Sequence, residues 1–223
     1  MEIREYRVYN QNMIELLATS LNQNDDEPNV KLARSLAESG NTKGIREIVD
    51  GLDDKNAGIA SDCVKVLYEI GYLRPELIEG YASEFLRAMK SKNNRMVWGA
   101  CIALAVIAES ASEEIYENFE DIFEAYEKGS VITRDNCVSI FAGLIKGNRA
   151  YAKKLFPLLI SHLENCRPKE VAQHAERIFV CIDKKNSPDF RQALLKSYDS
   201  LADSQKKRVD AILKKIDRTF GQA

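Results

Sequence analysis

Cys137-Val138-Ser139-Ile140-Phe141-Ala142-Gly143-Leu144 is the stretch that decides the fold. Cys137, Ile140, Phe141 and Leu144 stand at the spacing of one face of an α-helix. The same arrangement recurs as Cys63, Val66, Leu67, Ile70 and as Cys101, Leu104, Ala105, Ala108. Two later copies are Ala175, Ile178, Phe179, Ile182 and Val209, Ile212, Leu213, Ile216, so the first positions step by 38, 36, 38 and 34 residues. A shorter copy, Ala33, Leu36, Ala37, Gly40, precedes them. Self-similarity at such a period marks stacked supersecondary units, each unable to bury its apolar face alone.

Each stripe follows another amphipathic segment. These first helices are expected over Asn41 to Gly51, Pro75 to Ser91, Ser112 to Lys128, Arg149 to Asn165 and Pro188 to Ala202. Short polar turns such as Asp53-Asp54-Lys55-Asn56, Ser91-Lys92-Asn93-Asn94 and Cys166-Arg167-Pro168 join first to second helices, as antiparallel pairs require. The expected organisation is one repeat domain over residues 1–223, with capping helices in 1–40 and about five hairpins in 41–220.

Composition agrees with an all-α chain. Only 11 Gly and 5 Pro punctuate 223 residues, and strictly alternating β-branched runs are missing. The most apolar stretch, Met96 to Ala108, is too short for the roughly 20 residues a bilayer crossing needs, so no membrane association is expected. The charged start Met1-Glu2-Ile3-Arg4-Glu5 leads into no apolar signal region, which makes the cytoplasm the expected compartment. Five cysteines is an odd number, and Cys63, Cys101 and Cys137 sit inside apolar stripes, as reduced core thiols do. Net charge is −2, yet residues 130–223 carry 18 Lys and Arg against 10 Asp and Glu, net +8, while residues 1–129 carry 14 against 24, net −10. Such asymmetry suggests different partners for the two ends, or association of acidic with basic ends.

Over residues 30–220 the chain resembles the HEAT-repeat (armadillo-like) family. Lys154-Leu155-Phe156-Pro157-Leu158-Leu159-Ile160 is similar to the proline-bearing first helix of HEAT units, and Arg95 and Arg134 resemble the basic residue often found ahead of the second. Most first helices here lack the proline. The resemblance implies an all-α, right-handed α-α superhelix, a solenoid of about five to six HEAT-like hairpins, with second helices lining the concave side. It implies no reaction.

If second helices line a groove, its residues stand beside each stripe: Asp62, Lys65, Glu69; Ala100, Ala103, Ile107; Asn136, Ser139, Gly143; His174, Arg177, Cys181; and Arg208, Ala211, Lys215. Charge along this series is mixed, then absent, then basic. The small residues in the middle either admit a partner's backbone or permit close helix stacking. The binding candidates are therefore Asp62, Lys65, Glu69, Asn136, Ser139, His174, Arg177, Arg208 and Lys215. The densest basic run, Gln205 to Arg218, suits either phosphate contact or the solvated face of a terminal repeat. In Glu113 to Asp121 the interleaved aromatics are read as core.

Catalytic signals are weak. No Gly-rich phosphate loop occurs. The place of Cys166 beside Arg167 suggests a lowered pKa, but no base or orienting group is evident for it. His162 lies near Glu164 and Cys166, and His174 near Glu176 and Arg177, which lets a metal site be imagined at one hairpin; the spacing alone does not support it, and no metal or cofactor is expected. Trp98 falls on the buried side of its helix and reads as core. The expectation is a non-enzymatic scaffold binding a protein or peptide segment, an acidic one by charge. The alternative is a nucleic-acid-binding HEAT-like module related to DNA alkylation repair glycosylases.

Overall fold

The computed structural model describes residues 12–221, and every regular element among them is helical. The first eleven residues of the expected 1–40 cap, and the Met1–Glu5 start, lie outside the described residues. The α-helices are α1 (Glu27–Ser39), α2 (Thr42–Asp50), α3 (Ala57–Leu73), α4 (Ala82–Ala88), α5 (Asn94–Ile107), α6 (Ser112–Glu117), α7 (Phe119–Lys128), α8 (Val131–Gly147), α9 (Ala152–Asn165), α10 (Pro168–Ile178), α11 (Ser187–Ser197) and α12 (Asp203–Phe220). No described helix is long and apolar enough to cross a membrane.

The junctions follow from local chemistry. Asn41, Asn56 and Asn93 cap α2, α3 and α5 by accepting the backbone N–H of Gly44, Gly58 and Arg95, and Ser130 caps α8 by accepting that of Thr133. Pro28, Pro168 and Pro188 occupy first-turn positions of α1, α10 and α11, where a missing N–H costs nothing. Gly40 closes α1 in the left-handed conformation, φ 62°.

Several expected first helices are not one continuous α-helix; those from Arg149 and Pro188 each include a 3-10 turn, at Arg149–Tyr151 and Tyr198–Ser200. The segment from Pro75 opens with 3-10 turns at Pro75–Leu77 and Glu79–Tyr81 before α4 begins. The segment from Ser112 divides into α6 and α7 at Asn118, whose side-chain amide donates to Glu114 O at 3.0 Å and so offers the backbone an alternative to continued helix.

The repeated stripes form the core. Cys63, Val66, Leu67, Ile70, Cys137, Ile140, Phe141, Leu144, Val209, Ile212, Leu213 and Ile216 are all buried, and among the stripe residues only Gly40, Ala105 and Phe179 are partly exposed. Burial of aromatics such as Phe85, Phe141 and Phe190 stabilises by roughly 1.5–3 kcal/mol each.

The chain clusters into two compact units that divide between Phe119 and Glu120. In the first, α3 packs between α1 and α5, with α2 against α3 and α4 against α5. In the second, α10 packs between α8 and α12, while α9 and α11 pack on each other and on that layer. Within the second unit, Tyr126 of α7 packs on Phe141, with ring centroids 5.7 Å apart.

Candidate functional site

In the first unit Asp62 is buried, and Lys65 and Glu69 are half-buried and paired with each other. Asp62 on α3 is only 6% exposed, and its carboxylate accepts the backbone N–H of Thr19 at 2.7 Å. It serves the segment ahead of α1 and is not a groove residue. Lys65 donates to Glu69 at 2.7 Å and lies 4.9 Å from the Tyr68 ring centroid. Burial works against its charge, but the Glu69 bond and the Tyr68 hydroxyl outweigh it and hold the ammonium at about 12. Ala100, Ala103 and Ile107 are fully buried. Of the two readings left open for the small residues, close stacking is the one realised: a Cβ on neighbouring Gly99 would stand 2.7 Å from Val64 Cγ1.

In the second unit the layer of α8, α10 and α12 brings several candidates together. Arg177 reaches from α10 to α8, donating through one nitrogen to Ser139 Oγ at 2.7 Å and to Asp135 O at 3.0 Å, with Asn136 Oδ1 at 3.5 Å. Asn136 is itself buried, its amide donating to Ile132 O. Arg208 of α12 forms a two-pronged bond to Glu176 of α10, at 2.9 and 2.6 Å, which raises its already high pKa. Lys215 is exposed and stands 4.3 Å from the Phe179 ring centroid. Gly143 and Cys181 are buried. Arg177 thus crosses from α10 to α8, while Arg208 and Lys215 cross from α12 to α10 and to the turn that follows it.

His174, by contrast, is 1% exposed and sits in a polar cluster. Tyr126 Oη lies 2.8 Å from His162 Nδ1; His162 Nε2 lies 2.5 Å from His174 Nδ1; and His174 Nε2 lies 2.9 Å from Asp135 Oδ1. Since the Asp135 carboxylate accepts, His174 carries its proton on Nε2. Cys166, just past the end of α9, lies with both histidines, and a cavity of about 630 Å³ opens beside them. Burial first, then His174 and Arg134, lower the His162 pKa to about 4. Cys166 is not activated as its neighbour Arg167 suggested. Arg167 is bound to Glu170, and burial together with Glu170 pushes the thiol up to about 11.

The sequence contained a signal for this cluster that spacing within one hairpin does not give. Tyr126 and His162 are 36 residues apart, Asp135 and His174 39, Ser139 and Arg177 38. These are repeat-period separations, so side chains one period apart meet across adjacent repeats.

No protein-family model matches the chain, and no curated protein matches it. Among solved structures, an engineered protein from the Northeast Structural Genomics Consortium has a TM-score of 0.61 at 19% identity, covering 92% of this chain and 95% of that one. A designed armadillo repeat protein in complex with the peptide (KR)4 also has a TM-score of 0.61, at 17% identity over 91% of this chain and 97% of that one. Kap121p bound to Pho4p has a TM-score of 0.66 at 15% identity over 94% of this chain, which spans 23% of Kap121p. The fold is a HEAT/armadillo-like α-α repeat fold.

Proposed function

We propose that the chain is a non-enzymatic HEAT-like scaffold that takes an acidic protein or peptide segment along the α8–α10–α12 face of its second unit. The observation that carries this reading is the row of Arg177, Arg208 and Lys215, held by Ser139, Glu176 and Phe179. Side chains already oriented lose less entropy on binding. The Arg208–Glu176 pair is partly exposed, and exposed pairs are worth little, so an incoming carboxylate can take Glu176's place. The +8 charge of residues 130–223 steers such a partner. Repeat proteins of similar fold in complex with a peptide, (KR)4, or bound to Pho4p support the scaffold role; the basic face here favours the opposite charge from (KR)4. The five cysteines, none of them in a disulfide, suit a reducing, cytoplasmic setting.

The test is a fluorescence-anisotropy titration with an oligoglutamate peptide and with single-stranded and duplex DNA, each at two salt concentrations. The scaffold reading expects the peptide to bind, and Arg208→Glu with Lys215→Glu to weaken it at least tenfold at unchanged circular dichroism. DNA binding that falls steeply with salt and is lost in the same variant would move the chain to the nucleic-acid class.

A further inference from the structure

We propose that His162, His174 and Cys166 form a binding site for a divalent transition metal of the zinc class, supported from outside by Asp135 and Tyr126. One ligand atom from each of the three lies within 4.8 Å of the other two. Tetrahedral zinc, with Zn–N near 2.0–2.1 Å and Zn–S near 2.3 Å, places its donor atoms about 3.3–3.6 Å apart. The two facing nitrogens, now 2.5 Å apart, would part by under about 1 Å, and the sulfur would close by up to about 1.2 Å. Cys166 can make that movement because it is half-buried and sits in extended backbone after α9.

The outer partners make these rings suitable ligands. A ligating histidine ordinarily gives its other N–H to a carboxylate or another oxygen, which fixes the tautomer and turns the free lone pair on the metal. Asp135 Oδ1 already does this for His174, leaving Nδ1 to ligate. Tyr126 Oη stands 2.8 Å from His162 Nδ1 and can accept its N–H once the ring proton moves there from Nε2, which then ligates. The two ring nitrogens opposite those outer partners are the two that face each other.

The charges balance as well. On binding, the Cys166 S–H proton leaves to solvent and an S–metal bond forms, while the His162 proton shifts to Nδ1, from which it is donated to Tyr126 Oη. The thiolate and the Asp135 carboxylate then offset the metal's two charges. The nearby guanidiniums are otherwise engaged: Arg134 donates to the carbonyls of Tyr126 and Glu127, and Arg167 to Glu170. Three protein ligands leave a fourth position, which faces the cavity of about 630 Å³ and is open to solvent.

The test uses the untagged full chain, stripped with chelator and titrated with Co²⁺ as a spectroscopic stand-in for Zn²⁺. The expected result is one equivalent of bound cobalt, with a thiolate-to-cobalt charge-transfer band and strong visible bands of four-coordinate geometry, all displaced by Zn²⁺. Cys166→Ser should abolish the charge-transfer band. Asp135→Asn should keep the band but weaken binding roughly ten- to a hundredfold. Both variants are checked by circular dichroism, and the half-buried position of Cys166 makes its serine variant foldable. Failure of the wild type to take up one equivalent, or a charge-transfer band that survives Cys166→Ser, overturns the site and leaves the histidine pair as a buried hydrogen-bond strut.

Discussion

A methyl group on Gly99 would stand 2.7 Å from Val64 Cγ1 and 3.2 Å from Cγ2. A β-branched side chain has few rotamers to which it can retreat. Gly99→Ala gains about 1 kcal/mol of helix propensity but overpacks α3 against α5 at a cost of about 1–3 kcal/mol. Net destabilisation of about 1 kcal/mol is expected in urea unfolding, and Val64→Ala should cost less in the Gly99→Ala background than in the wild type. His162 supplies a pH-dependent counterpart. Its folded pKa of about 4 lies below the ordinary 6.5, so between these values the unfolded chain holds more protons. The sign is that of a buried neutral base: the contribution is complete above 6.5 and is lost as pH falls toward 4. The groups facing it are Tyr126, Arg134, Asp135, Cys166, Glu170 and His174. Urea midpoints of chelator-treated protein should fall across that window, and a flat profile would contradict the burial.

At the scale of the element, Ser130 starts α8, the helix that carries Asn136 and Ser139. Its hydroxyl accepts the Thr133 N–H at 3.2 Å and lies 3.0 Å from the Thr133 hydroxyl. Ser130→Ala should lower stability by about 0.5–2 kcal/mol, measured by thermal unfolding. The helices themselves were legible because the 3.6-residue stripe and the Asn and Pro punctuation are local signals. The break at Asn118 was not, since it depends on a side chain reaching back to Glu114 O. The binding candidates were legible as positions on a helix but not as surfaces. Asp62 and His174 stand where a groove residue should, yet Thr19 covers the one and Asp135 with His162 engages the other. Those contacts span 12 to 43 residues, beyond the reach of helical spacing.

For the whole molecule, stacked repeats stabilise one another only through nearest neighbours, so cooperativity over the full array is not guaranteed. The distribution of sulfur makes this countable. Cys63 and Cys101 lie buried in the first unit, and Cys137 and Cys181 in the second, with Cys166 the one thiol of the five that is not buried. Burial pushes Cys63 and Cys181 up to about 12 and Cys166 to about 11, so each alkylates slowly while folded. Under rising urea, pulses of a mass-tagging alkylator should therefore step the chain's mass by whole adducts, and peptide mapping assigns each adduct to its repeat. If Cys63 and Cys101 gain their tags at a different denaturant concentration from Cys137 and Cys181, the units open separately, and a mass spectrum becomes a map of which repeats have let go.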